Sequence, residues 1–551
     1  MSRRAALWLL GALLLLAGCD DGAASLDEPD AVIGADAAPD ASADRGPADA
    51  LPDSAPAPAD ALPDVMRDAI LDEMDAISDA MPDAIGPIVD AMAEGDATAA
   101  DAAPDMAPAA DAGPPAPLFD LSLIRDADDA ACRFDNPRQT LRGLVLLDVW
   151  DVSYTSYEVV EGVLRPIRMR AFAARPAGAE GIPGIVQAHG LGGFAEPSHA
   201  EGPAALTGAF VIAYTGPGGG TMPANTSEGL SAGHDSGYRL FDVLDDPRGS
   251  WFWAHGVAAM RALTCVAAHP AVDRDRLGMT GYSAGAVATL MAAGVDDRIR
   301  AAVPLSGTGA WDLAVRSPTA WQHGLLEQAG LGVDSPEWRT LLEHLDVAEL
   351  ARDAAGAVLM VNGSSDEFFP LDAHRDTFDG LPGAGHRTSI SGNYDHGCYA
   401  ISGGEPAGAI EERAVIRAEG GQRMWFAHHF GTDPAYVDLP AEPTARLDPV
   451  GPVTVATAAV DAPAALRVRS VKYWWSDDRA LLFGALDLED QGGGMWAGPV
   501  PAPGPQTVWY VDVEYQTPDP IAPQRFSLST PPHIPEGFVA NIRRNANCLP
   551  P

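Results

Sequence analysis

Three residues far apart in this chain have the types and order that nucleophilic chemistry requires: Ser283, Asp366 and His396. The serine is the middle residue of Gly281-Tyr282-Ser283-Ala284-Gly285. Residues 276–280 before it read as a short buried strand, and 286–293 after it are small and apolar helix formers. Ser283 is therefore expected at a strand-to-helix corner, in a strained conformation, with glycines on both sides letting strand and helix approach closely. A serine hydroxyl is a poor nucleophile at neutral pH. It needs a base to take its proton, and the base needs an acid to fix its tautomer and balance its positive charge. At such a corner the chain order is serine, acid, histidine. Asp366 and His396 follow in that order, each just after an expected strand, in Asn362-Gly363-Ser364-Ser365-Asp366-Glu367-Phe368-Phe369-Pro370 and Gly392-Asn393-Tyr394-Asp395-His396-Gly397.

His374 and His386 are competing bases and rank below His396. His374 is close in sequence to Asp366 and falls at a helix start, His386 opens a strand, and both read more simply as solvated surface histidines. Asp372 and Asp395 are the fallback acids. A tetrahedral oxyanion would need backbone donors already in place. Ala284, first in the helix after Ser283, is one. The loop His189-Gly190-Leu191-Gly192-Gly193 is expected to supply the other at Leu191, although its glycines would also suit a plain tight turn. His189 itself reads as a hydrogen-bonded structural residue.

The elements that must position these groups alternate between strand and helix. Runs at 144–149, 153–160 and 167–173 read as antiparallel strands entering a sheet. Short apolar strands at 185–188 and 210–214 each open into a glycine-rich loop, which places flexible backbone at one edge of a parallel sheet, where α/β ligand sites lie. A helix is expected at 251–267, then strands at 301–305, 357–361 and 387–391. A helical insertion at 311–350 carries Trp311, Trp321 and Trp338 and is placed to roof the site. This pattern predicts a doubly wound α/β domain over 118–440 with a helical cap insertion. Beyond a hinge at 440–452, alternating runs at 468–475, 480–488, 507–515 and 526–530 predict a C-terminal β-sandwich over 441–551.

The charge is strongly asymmetric. The 551 residues carry 77 Asp and Glu against 35 Lys and Arg, a formal net charge of -42, which excludes nucleic acid as a partner. Residues 20–117 hold 24 of the acids but only two arginines, so about half the net charge sits in this Asp/Ala/Pro segment. It cannot bury enough apolar surface to offset the entropy of ordering and reads as a disordered tether, with at most a transient amphipathic turn or two between 63 and 82. As a coil it would span roughly 50–60 Å. Calcium binding by its aspartates is a weak alternative, because the glycines and ligand spacing of calcium loops are missing.

In front of the tether, Arg3-Arg4, an apolar run and Leu16-Ala17-Gly18-Cys19 describe an export signal, residues 1–19. The cut site looks like a bacterial lipobox, which implies acylation of Cys19 and a membrane anchor, in the cell envelope, facing the periplasm or the cell surface. Export makes disulfides permissible. Cys132, Cys265, Cys398 and Cys548 allow three pairings: Cys132 with Cys548 would tie tail to body, Cys265 suits a free core thiol equally well, and Cys398 could brace the histidine loop.

The stretches around His189, 272–285, 362–370 and 393–397 resemble the α/β-hydrolase superfamily, in particular secreted esterases of the acetylxylan-esterase and dienelactone-hydrolase type. The stretch at 362–369 and the β-rich tail look closest to the PhoPQ-activated pathogenicity-related proteins. The resemblance implies a metal-free serine hydrolase with Ser283, Asp366 and His396 as its triad but does not fix a substrate; no cofactor is expected, and a small ester or an acylated polysaccharide is the expected substrate. Three other readings remain beside it: a serine peptidase of the same fold, a surface glycan-binding protein using Trp474, Trp475, Trp496 and Trp509, and a degenerate hydrolase with a structural role. For those tryptophans, packing within the tail or against the body is the simpler expectation.

Overall fold

A computed structural model of the chain describes residues 117–230, 239–318, 320–396, 407–519 and 523–541. The leader with Cys19, the tether up to residue 116, the helical spacing between 63 and 82, Gly397, Cys398 and Cys548 lie outside the described residues.

The centre is a run of six parallel strands. β4 (Ile182–Ala188), β5 (Phe210–Tyr214), β6 (Val272–Tyr282), β7 (Ile299–Leu305), β8 (Ala357–Gly363) and β9 (Arg387–Ser391) follow β1 (Arg133–Arg142), β2 (Val145–Val160) and β3 (Val163–Pro176), which enter antiparallel. The middle strands are buried and mostly apolar over their C-terminal parts, 277–281 in β6 and 301–304 in β7, because both faces are covered by helices there. On one face lie α2 (Trp251–Ala268) and α3 (Ala284–Val295); on the other lie α1 (Pro197–Thr207) and α8 (Gly421–Phe430), counting α4 (Trp321–Gln328), α5 (Pro336–Leu345), α6 (Leu371–Gly380) and α7 (Ala407–Val415) between them. The doubly wound α/β fold expected from the sequence is present.

The runs at 144–149 and 153–160 are one long strand, β2, and β1 was not foreseen. β1 is the outer strand of the sheet, mostly exposed, with a register shift between Asp135 and Arg138 around Pro137, so it carries little apolar periodicity. A proline at a bulge on an edge strand breaks no needed hydrogen bond. The region expected as a hinge, 440–452, contains β10 (Thr444–Val450), paired throughout with β11 (Val453–Ala459).

The C-terminal strands fall into two sheets. β10, β11, β14 (Glu489–Gly492) and β15 (Met495–Val500) make a separate four-stranded sheet. β12 (Arg467–Ser476), β13 (Gly484–Asp487), β16 (Val508–Gln516) and β17 (Arg525–Ser529) continue the central sheet, because β17 lies antiparallel beside β9 with Ser529 opposite Thr388. The result is one 13-stranded sheet. Tyr473, Val511, Val513, Tyr515, Phe526 and Leu528 share a buried cluster with Ala456 and Ala458 of the smaller sheet and with Leu359, Met424 and Trp425 of the body. Trp474 is buried, and Trp475, Trp496 and Trp509 are half-buried against this core, so packing occupies them.

Cys132 is joined to Cys265 by a disulfide. This replaces both the Cys132–Cys548 bridge and the free thiol at Cys265. The segment before β1 lies across α2: the Trp253 indole donates to the Leu118 carbonyl at 2.6 Å, and the fully buried Arg261 pairs with Asp129 at 2.7 Å. That crossing brings the two cysteines together.

Candidate active site

Ser283 stands between β6 and α3 with φ 58° and ψ -121°, the strained conformation that an elbow imposes on its middle residue. The two glycines are there for close approach. A methyl on Gly285 would lie 2.3 Å from the Ala188 carbonyl oxygen, and one on Gly281 would lie 2.4 Å from the Gly285 carbonyl oxygen.

His396 approaches from the loop after β9. Its Nε2 is 2.9 Å from Ser283 Oγ, and its Nδ1 is 3.1 Å and 3.2 Å from the two carboxylate oxygens of Asp366. Asp366 Oδ1 also accepts from the N–H groups of Phe368 and Phe369, at 3.0 and 2.9 Å, which fixes the carboxylate. A carboxylate only accepts, so the Nδ1 proton points to Asp366 and the Nε2 lone pair is left for the Ser283 hydroxyl. The three side chains are 7 %, 2 % and 0 % exposed for Ser283, His396 and Asp366, so the chain of hydrogen bonds is shielded from bulk water.

Burial pushes the His396 imidazole down, but the Asp366 carboxylate, by charge and hydrogen bond, with Glu367 and Asp395 behind it, outweighs burial and raises its pKa above the ordinary value. Aromatic rings frame it. Tyr282 stacks at 5.1 Å between ring centres, with Phe368 at 4.6 Å and Phe369 at 5.6 Å. Trp321 of α4, in the helical insertion, sits 5.6 Å from Phe369, which brings the expected cap against the site.

The loop after β4 packs against Ser283. A methyl on Gly190 would lie 3.2 Å from Ser283 Cβ. His189 is half-buried, and loss of solvation holds its pKa down at about 4. Its Nε2 accepts from the Gly216 N–H at 2.7 Å, so its Nδ1 carries the proton and donates to the Gly190 carbonyl at 2.6 Å. That carbonyl also accepts from the Gly193 N–H at 3.1 Å. His189 is the structural residue expected, and it rigidifies the turn containing Leu191. Among the described residues no hydrogen bond takes up the N–H of Leu191 or of Ala284. Ala284 opens the twelve-residue helix α3, whose N-terminus favours negative charge.

The competing residues lie elsewhere. His374 and His386 are buried, against the solvated positions expected of them. His374 Nε2 is 2.7 Å from Thr388 Oγ1, and burial takes its pKa down to about 3; His386 bonds the Pro382 carbonyl and the Val358 N–H. Asp372 accepts from its neighbour Ala373 N–H, and burial raises its pKa to about 6. Asp395 acts on His396 through charge.

Glu367 was missed. It is 5 % exposed, its Oε2 accepts from the backbone N–H of His396 at 3.0 Å, and burial followed by the neighbouring Asp366 charge raises its pKa. The only sequence signal was a second acid directly beside the first.

Two family models match: Acetyl xylan esterase (AXE1) over residues 145–307, which contains Ser283 and the His189 loop, and the Prolyl oligopeptidase family over residues 257–399, which contains Ser283, Asp366 and His396. No curated protein matches. Among solved structures, acetyl xylan esterase 1 from Thermoanaerobacterium sp. JW/SL YS485 is 18% identical, covering 50% of this chain and 93% of its own, at a TM-score of 0.40. Acetyl xylan esterase from Paenibacillus sp. R4 is 19% identical over 50% and 94%, also at 0.40. An acylaminoacyl peptidase from Pyrococcus horikoshii is 14% identical over 55% and 50%, at 0.36. The strand order and the elbow are those of the α/β-hydrolase fold, and the esterase family model over residues 145–307 supports a serine carboxylic-ester hydrolase.

Proposed function

We propose that the protein is an exported, lipid-anchored esterase of the bacterial cell envelope that removes short acyl groups from a polysaccharide through Ser283, His396 and Asp366. The observation that carries the chemistry is the unbroken hydrogen-bonded chain from Ser283 Oγ through His396 to Asp366. Ser283 Oγ attacks the ester carbonyl while His396 Nε2 takes its proton. Asp366, already accepting the Nδ1 proton, balances the imidazolium. The oxyanion is received by the N–H groups of Ala284 and Leu191. Collapse breaks the ester C–O bond, and the His396 proton leaves with the alcohol. A water then gives its proton to His396 and its oxygen to the acyl carbon, releasing the acid and restoring Ser283.

The acyl and sugar assignment is supported by the Acetyl xylan esterase family model, which spans the elbow and the His189 loop together. A peptidase is the second reading, favoured by the Prolyl oligopeptidase family model over the Ser283, Asp366 and His396 stretches. Turnover of p-nitrophenyl acetate and acetylated xylan against peptide p-nitroanilides separates the two. The expected result is ester turnover that Ser283→Ala reduces by at least about 10³-fold; unchanged turnover in that variant would sink the assignment.

The anchor is proposed from Arg3-Arg4, the apolar run and Leu16-Ala17-Gly18-Cys19. Cys19→Ala is expected to abolish radiolabelled palmitate incorporation and to move the protein out of the membrane fraction. Equal labelling of wild type and variant would rule out acylation at Cys19.

A further inference from the structure

The loop carrying His396 is held by strands some ninety residues further along the chain. Asn393, three residues before His396, donates from Nδ2 to the Phe483 carbonyl at 2.9 Å, and its Oδ1 accepts from the Phe483 N–H at 2.8 Å. One side-chain amide thereby satisfies both backbone groups of a residue next to β13. The backbone N–H of Asn393 donates to Ser364 Oγ at 2.8 Å, and the Tyr394 carbonyl accepts from the Ser365 N–H at 3.0 Å. Those bonds tie the histidine loop to the loop that carries Asp366. Asn393 adopts φ 56°, a left-handed conformation that asparagine tolerates better than most residues. Beside it, Gly392 lies flat on the Trp474 ring, where a methyl would come within 2.5 Å. The Gly392 carbonyl accepts from Arg413, whose guanidinium sits 5.0 Å over the same ring.

The bonds to Ser364 and Ser365 tie the described part of the loop, 392–396, only to the loop of Asp366. The bidentate amide instead couples it to the C-terminal β region, at a point where a small displacement would change the contact between His396 and Ser283. We propose that Asn393 is a positioning residue: by clamping the Phe483 backbone, it makes the C-terminal β region set where the His396 imidazole stands relative to Ser283 and Asp366. The inference rests on the reading of those three residues as the reacting groups.

The test uses the full chain. Asn393→Gly keeps the left-handed backbone and removes the amide. Misplacement of a reacting group by about 1 Å can cost on the order of 100-fold, so kcat on p-nitrophenyl acetate is expected to fall about 10- to 100-fold with KM little changed. The acid limb of the pH profile is expected to move to lower pH. His396 loses the contact with Asp366, its largest upward influence, and burial beside the rings of Tyr282, Phe368 and Phe369 persists, so the charges of Glu367 and Asp395 on the two loops, which still favour the imidazolium, offset less of it. Asn393→Asp, nearly isosteric, keeps the acceptor for the Phe483 N–H and is expected to retain more kcat than Asn393→Gly. Thermal midpoint and tryptophan emission report folding in parallel. The proposal is overturned if folded Asn393→Gly keeps wild-type kcat and acid limb, or if its lost activity matches the lost folded fraction with kcat per folded molecule unchanged. Full activity in Ser283→Ala would instead overturn the underlying assignment, so the two failures are distinguishable.

Discussion

His396 stands between burial, which disfavours its charge, and the carboxylates of Asp366, Glu367 and Asp395, which favour it; the carboxylates win, and its pKa is raised. A base must be neutral to accept the Ser283 proton. Activity is therefore expected to be absent at low pH, where His396 is protonated, and to rise through a limb centred above the ordinary histidine value. Asp366→Asn removes the largest upward influence. It is expected to move that limb to lower pH and to cut kcat by roughly 10³–10⁴-fold, because the wrong tautomer is then favoured; a pH–kcat profile of both proteins checks both effects. Glu367 acts on the same histidine through its backbone N–H. Glu367→Ala is expected to lower kcat by about tenfold, a typical loss for a displaced reacting group, whereas Glu367→Gln keeps an acceptor and recovers most of it. That Ser283, Asp366 and His396 would meet was legible in the sequence, because a serine nucleophile would dictate residue type, chain order and a loop after a strand. Glu367 and Asn393 were not, since a carboxylate or an amide in a polar loop gives no sign of which backbone group it meets.

At the scale of the element, the strand–elbow–helix unit is the best-specified part of the fold. Glycine was required where β6, α3 and β4 crowd together, and the buried strands could be read from short apolar runs; β5 and β9 have the expected ends. Gly285→Ala puts a methyl 2.3 Å from the Ala188 carbonyl. Because backbone must move to relieve it, a loss of about 1–3 kcal/mol is expected, measured as a lower thermal midpoint together with weaker activity. β1 and β10 were not read from the sequence for a physical reason. Both are edge strands, largely exposed, each holding a proline, and such strands have neither an apolar run nor strict alternation. The disulfide between Cys132 and Cys265 closes a loop of 133 residues, so Cys132→Ser is expected to destabilise the protein by about 2–5 kcal/mol. Denaturant unfolding of the variant, set against wild type with and without reductant, checks this; wild type should fall to the level of the variant only when reduced.

At the scale of the whole molecule, the C-terminal strands are part of the enzyme's architecture. β17 covers the edge that β9 would otherwise expose, and the buried Asp512 of β16 holds Arg417 at 2.6 Å, accepting also from Ser527 and Ser529. The sequence revealed strands in the tail but not this continuity, because pairing between β9 and β17 depends on two five-residue strands, RTSIS and RFSLS, meeting across more than a hundred residues. Asp512→Ala leaves a buried guanidinium without its carboxylate, and a loss of about 3–5 kcal/mol is expected in denaturant unfolding. Ending the chain at Pro440 is expected to give insoluble protein, since it uncovers Leu359, Met424 and Trp425, which share a buried cluster with the tail, and burying each such side chain contributes about 1.5–3 kcal/mol. The central claim remains that Ser283 is a nucleophile activated by His396, and a fluorophosphonate probe tests it most directly. Peptide mapping of the labelled full chain is predicted to find the adduct on Ser283, with labelling lost in His396→Ala; an adduct on another residue, or labelling of Ser283 that is undiminished in His396→Ala, would contradict the account.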